Sequence, residues 1–93
     1  MNSVTNNEAE NQFQLEVDGQ LAVSQYRRLN GTIVFTHTEV PLQLEGQGIG
    51  NQLAKTALEY ARSEGLRVVP RCRFIAAYIK RHPEYQDLVE SEP

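Results

Sequence analysis

Apolar and polar side chains alternate where the chain first becomes patterned. Phe13, Leu15 and Val17 are separated by Gln14 and Glu16, the period of a half-buried β-strand. Asp18-Gly19 follows, a pair suited to a type I′ hairpin turn because both central residues need positive φ. A second strand is expected over about residues 21–28, and Asn30-Gly31 repeats the turn signal. The third strand, TIVFTHTEV, carries β-branched and aromatic residues on both faces. Ile33, Phe35 and His37 point one way, and Val34, Thr36 and Thr38 the other. A strand apolar on both faces is expected to be central and covered on both sides. Together these residues predict a three-stranded antiparallel meander.

Pro41 ends the third strand, because it has no N–H to give the ladder. From about Gln47 the period changes. Ile49, Leu53, Ala54, Ala57, Leu58 and Ala61 form one helical stripe, while Gln52, Lys55, Glu59 and Arg62 lie elsewhere. Gly65 predicts a left-handed stop. Leu66 to Val69 reads as a short fourth strand ended by Pro70, and FIAAYIKRH as a second helix ended by Pro83. Strand, helix and strand in that order predict a right-handed βαβ crossover with the third and fourth strands parallel. The fold class is α/β (α+β): a meander, then the crossover, then a C-terminal helix. Residues 12–90 are expected to form a single domain. Residues 1–11, polar and Asn-rich, are expected to be a disordered tail, and the closing Ser-Glu-Pro to fray.

Composition narrows the picture. A chain of 93 residues is one small domain, and 40% hydrophobic content supports a modest core. No run of about 18 apolar residues exists, so no membrane-spanning helix is expected. The first residues have neither the apolar nor the Arg-rich pattern of a targeting segment. Cys72 is the single cysteine and has no internal disulfide partner, which fits a reducing, cytoplasmic setting. His37 and His82 add no metal-ligand spacing, so no metal is expected. A net charge of −3 argues against a nucleic-acid binder. Yet Arg62, Arg67, Arg71, Arg73, Lys80 and Arg81 crowd one third of the chain. They are either a solvated basic face or a site for a phosphorylated small molecule.

The chemistry centres on VPLQLEGQGIGNQLAKTALEYA, residues 40–61. Gly46, Gly48 and Gly50 alternate at the start of a helix, although a helical glycine costs about 1 kcal/mol relative to alanine. The first four N–H groups of a helix lack internal partners, and its dipole is positive there. Bare backbone at that point suits a pyrophosphate cradle. The other reading is that the glycines only permit a tight turn and close packing. The stretch lacks both the Gly-Lys-Ser/Thr ending of a P-loop and the Gly-x-Gly-x-x-Gly of a dinucleotide site. Parallel strands end at one edge of a sheet. The glycine turn and Cys72 are therefore expected near each other, where α/β folds bind ligands.

EGQGIGNQLAKTALEYAR resembles motif A of the GNAT superfamily of acyl-CoA-dependent N-acetyltransferases, with Gly48-Ile49-Gly50 filling its Gly-x-Gly/Ala end. HTEVP and GLRVVPRCRFIAAYIKRHPEY are similar to a compact GNAT-like group of short chains, and the resemblance covers residues 13–89. It implies a truncated GNAT-like fold that binds acetyl-CoA (coenzyme A) and passes acetyl to an unidentified amine. The backbone N–H groups of Gln47, Gly48, Ile49, Gly50 and Asn51 would hold the pyrophosphate, and the main chain of Glu39 and Val40 would pair with pantetheine. The gap between the third and fourth strands would admit the thioester arm. Tyr78 falls where the family places a proton donor to the departing thiolate; it reads equally as a core tyrosine. Cys72, between Arg71 and Arg73, could accept an acyl group, line the thioester pocket, or be an inert buried thiol.

His37 and Glu39 share a strand face, and either could take a proton from an amine. His82 and Pro83 are expected to cap the second helix. Three departures from the family pattern stand out. Glu45 occupies a position where Gln or Arg is usual, and it is expected to point away from the phosphates. The asparagine that usually precedes the tyrosine is missing. The acceptor half of the fold is mostly absent. The acceptor site is therefore open, or a second subunit completes it in a homodimer, or the domain is a non-catalytic acyl-CoA-binding module or sensor.

Overall fold

The computed structural model describes residues 3–90. Five strands form one sheet in the order β1-β2-β3-β4-β5. They are β1 Thr5–Asn7, β2 Gln12–Val17, β3 Gln20–Leu29, β4 Thr32–Glu39 and β5 Arg67–Pro70. The first four pair antiparallel and β5 runs parallel to β4. Helix α1, Ile49–Ser63, connects β4 to β5, and α2, Arg73–Arg81, follows β5. Short 3₁₀ turns occupy Leu42–Leu44 and Pro83–Leu88. The meander, the crossover and the C-terminal helix are where the hydrophobic periods place them.

The expected disordered tail of residues 1–11 needs correction. Thr5–Asn7 is a strand, with Asn6 opposite Phe13. Its sequence is polar because side-chain hydrogen bonds replace apolar contacts. Tyr26 donates its hydroxyl to Asn6 Oδ1 at 2.7 Å on the core side, and Asn7 Nδ2 donates to Gln14 Oε1 at 3.1 Å. Val4 packs against the core beside them. Met1 and Asn2 lie outside the described residues, as does the expected fraying of Ser91-Glu92-Pro93.

Turn and cap chemistry follows the sequence closely. Asp18 and Gly19 both have positive φ, as a I′ turn requires. At Asn30-Gly31 only the glycine does, so the hairpin is present with a different turn. Helix α1 ends in a Schellman arrangement at Gly65, with Leu66 N–H donating to Ala61 O and Gly65 N–H to Arg62 O. The whole predicted stripe from Ile49 to Ala61 is buried. Leu53 and Leu58 are fully covered, and burying such a side chain contributes about 1.5–3 kcal/mol.

One face of the sheet holds the core. Phe13, Leu15, Ala22, Tyr26, Ile33 and Phe35 meet every buried apolar side chain of both helices there. Val34 and Val69, partners in register, are buried on the opposite face and lie outside that cluster. Helices therefore cover β4 on one side rather than both.

A bulge changes which β4 residues face the core. Tyr26 is opposite Phe35, but Gln25 is opposite His37, so Thr36 is the extra residue. Thr36 Oγ1 donates to Gln25 O at 3.3 Å. Strict alternation would put His37 beside Phe35. The bulge puts Thr38 there instead, opposite the fully buried Ser24, and turns His37 out with Glu39.

Candidate functional site

Two cavities open where β4 and β5 part. The strands pair from Thr32 with Arg67 to Phe35 with Pro70, and no further. Pro70 brings no N–H to continue the ladder, and the Thr36 bulge turns β4 aside at the same level. Cys72 N–H crosses the mouth of the gap to Phe35 O at 2.9 Å.

The larger cavity, about 530 Å³, runs from the end of β4 across the glycine turn to the head of α1. Of the residues expected to hold a ligand, Glu39, Val40, Gly48, Ile49, Gly50 and Asn51 line it. Gln47 does not, because α1 begins later than its sequence suggests, at Ile49 with Gly48 as N-cap. No side chain caps this helix start and no acidic residue occupies its first turn. Its N–H groups and partial positive charge are left for something else to satisfy.

The three glycines have two different reasons. Gly46 and Gly48 have φ of 84° and 74°, a conformation that costs other residues about 1–2 kcal/mol. A side chain on either would meet nothing within 4 Å, so the space in front of them is open to a ligand. Gly50 is ordinary helix, but a Cβ there would stand 2.6 Å from Phe74 Cζ. It is a packing glycine that lets α2 approach α1. Close packing thus accounts for Gly50, whereas Gly46 and Gly48 are turn glycines that face open space.

The smaller cavity, about 310 Å³, lies on the other side of Thr38 and Phe74, which line both. Thr36, His37, Arg71, Cys72 and Arg73 complete it. Cys72 is buried and donates its thiol to Thr38 Oγ1 at 3.2 Å, and Thr38 donates to Ser24 Oγ at 3.2 Å. The glycine turn and Cys72 do meet at one edge. His37 Nε2 is 3.1 Å from Glu39 Oε1, so this exposed pair runs from the smaller cavity to the larger. Nothing in the alternation pattern points to Thr38 or Phe74. The bulge hides Thr38, and Phe74 has the signature of an ordinary helix residue.

Tyr78 stands apart from both linings. It is buried and stacks on the His82 ring, with centroids 3.9 Å apart. Burial raises its pKa, and the nearby Glu84 and Glu59 carboxylates raise it further, so it is a weaker acid than free tyrosine. His82 caps α2 as expected, its Nδ1 donating to Tyr78 O at 2.9 Å. Glu45 is exposed and is among the residues that line the larger cavity.

The basic cluster divides by role. Arg62 makes a two-pronged pair with Asp87, and Arg67 donates to the carbonyls of Asp87 and Val89. These two arginines hold down the C-terminal segment. Arg71 and Arg73 border the smaller cavity. Among the described residues no helix is long and apolar enough to cross a membrane, and no group of three or more His, Cys, Asp or Glu is placed to hold a metal ion.

Comparison with known proteins bears on this site. The family model of GCN5-related N-acetyltransferases matches residues 12–88. Protein NATD1 of mouse is 36% identical over 85 residues, covering 88% of this chain and 77% of its own. Protein NATD1 of human is 36% identical over the same length, covering 75% of its own. The solution structure of a GCN5-like protein from Staphylococcus aureus superposes with a TM-score of 0.75 at 31% identity, covering 98% of this chain and 90% of that one.

Proposed function

The chain belongs to the GCN5-related N-acetyltransferase family, and from that premise we propose that it binds acetyl-CoA in the larger cavity and transfers the acetyl group to an amine. The observation that carries this reading is the continuity of that cavity, from the unpaired end of β4 to the uncapped head of α1. The residues fit the ligand. The backbone of Gly48, Ile49, Gly50 and Asn51 supplies donors to the pyrophosphate, and the left-handed glycines leave room for it. Glu39 and Val40 offer main-chain pairing to pantetheine, as a strand edge does to an added strand. When bound, acetyl-CoA supplies an activated acyl group.

A backbone N–H near Val40 polarises the acyl carbonyl. Thr38 walls the acyl end, held in place by the Cys72 thiol that donates to it. Calorimetric titration with acetyl-CoA at millimolar concentration tests the reading, and an absence of binding heat rejects it. Glu45→Gln removes a carboxylate from the cradle and should tighten binding by roughly threefold to tenfold, a charge effect of about 1 kcal/mol.

One observation favours a second reading. Tyr78, the expected proton donor, lines neither cavity and has a raised pKa. A binding module or sensor would keep the cradle without the donor. Release of free CoA in the presence of amines separates enzyme from module. An unchanged rate in Tyr78→Phe would remove Tyr78 from the chemistry.

A further inference from the structure

The smaller cavity holds chemistry that the cradle does not use. We infer that it receives the acceptor, and that the acceptor is a small primary amine bearing a carboxylate or phosphate group. This rests on the acyl-CoA reading of the larger cavity.

Three observations lead there. First, position: Thr38 and Phe74 line both cavities, so an acyl group entering from one and an amine from the other meet at those side chains. Second, charge: among the described residues, Arg71 and Arg73 line the smaller cavity and no carboxylate does. With Arg73 on the wall and the Glu39 carboxylate set back behind His37, the cavity favours an anionic group. A volume of about 310 Å³ matches a small molecule.

Third, a base: His37 lines this cavity and bonds Glu39 through Nε2 at 3.1 Å. An ionised carboxylate only accepts hydrogen bonds, so in the neutral ring Nε2 carries the proton and Nδ1 keeps the lone pair. Glu39 thereby fixes the tautomer that a base requires. In the transfer, the amine nitrogen bonds to the acyl carbon, and the carbon–sulfur bond breaks with its electron pair going to sulfur. The amine's proton passes to His37 Nδ1, and the sulfur gains one proton as it becomes the thiol. One thioester and one amine give one amide and one thiol, and His37 returns to neutral by releasing the proton it took.

Matched amine pairs test the inference: β-alanine against propylamine, and phosphoethanolamine against ethanolamine. Calorimetry first establishes acetyl-CoA binding; if there is none, the underlying reading falls and this inference with it. With the acyl donor binding, the anionic member of at least one pair should exceed its neutral partner by about tenfold in kcat/KM, and the favoured pair tells carboxylate from phosphate. Without acetyl-CoA, titration followed by NMR should shift the signals of His37 and Arg73 with the anionic amine only.

Arg73→Gln should abolish the preference. His37→Gln keeps a donor to Glu39 but loses the base, and should lower kcat about 100-fold with acetyl-CoA affinity retained. Equal use of the neutral amines, no turnover of any of the four, a preference that survives Arg73→Gln, or full kcat in His37→Gln would each overturn the inference while leaving acetyl-CoA binding intact.

Discussion

Cys72 and Thr38 are joined across the gap between β5 and β4, thiol to hydroxyl at 3.2 Å. Thr38 in turn donates to Ser24, which is fully buried. The chain of three ties the start of α2 to β4 and β3 beyond the point where the strands stop pairing. Thr38→Val keeps the shape and removes both bonds. It should cost about 1–3 kcal/mol in urea unfolding, because buried polar groups lose partners. The cycle with Ser24→Ala should show coupling of roughly 0.5–1 kcal/mol, since the two residues share one bond.

Gly48→Ala separates conformation from contact. Its Cβ would meet nothing within 4 Å, so the penalty is the left-handed backbone alone, about 1–2 kcal/mol. The expected result is a folded protein of lower midpoint whose acetyl-CoA affinity falls by tenfold or more, since a methyl group occupies the approach to the helix head. Unchanged affinity in the folded variant would remove Gly48 from the cradle.

Gly50→Ala should behave differently. Gly50 lies in the first turn of α1, where alanine gains less than the ~1 kcal/mol it gains in a helix interior. Here the new methyl stands 2.6 Å from Phe74 Cζ, an atom on the ring's own rotation axis, so a ring flip brings no relief. Phe74 must swing away. The helix gain should be cancelled or reversed, with an overpacking cost of about 1–3 kcal/mol. Because Phe74 lines both cavities, their shapes change too, which chemical-shift changes at Thr38 and Cys72 would report.

Alkaline pH should destabilise the protein. Burial raises the pKa of Tyr26, Tyr78 and Tyr85, and Tyr85 is raised further because its hydroxyl donates to Glu59 at 2.6 Å. A raised folded-state pKa means the unfolded chain loses these protons first. The stabilisation is complete below the ordinary tyrosine value of about 10 and is lost as pH climbs past it toward the folded values. Thermal midpoints should be flat from pH 8 to about 9.5 and fall beyond. Tyr85→Phe should soften the fall; an identical slope in that variant would discount the Glu59 bond.

Most of the fold was legible because its signals are local. The period-2 run at Phe13–Val17, the helical stripe from Ile49 to Ala61 and the turn pair Asp18-Gly19 each act through their own neighbours. The glycine turn was legible for the same reason. What escaped depends on distant partners. Thr5–Asn7 becomes a strand through hydrogen bonds to Gln14 and Tyr26, which no hydrophobic count detects. The Thr36 bulge is a property of pairing with β3, so alternation along β4 misassigned His37 and Thr38. Tyr78 was placed by family resemblance, whereas its surroundings are set by His82 and the carboxylates of Glu59 and Glu84.

The two outer rims of the sheet bear on how the molecule behaves in a crowded solution. On one rim β1 is three residues long and polar. On the other, Val89 bridges Val68 and the Glu90 N–H donates to Val68 O at 2.8 Å, under the grip of Arg62 and Arg67. Neither rim offers a long apolar ribbon for another chain to zip onto, the usual route to sheet-driven aggregation. Past Phe35 the side of β4 that faces away from β3 pairs with no strand, and it borders the two cavities. A sheet guarded at both rims directs strand-like pairing to that one edge, the contact that the acetyl-CoA reading calls for.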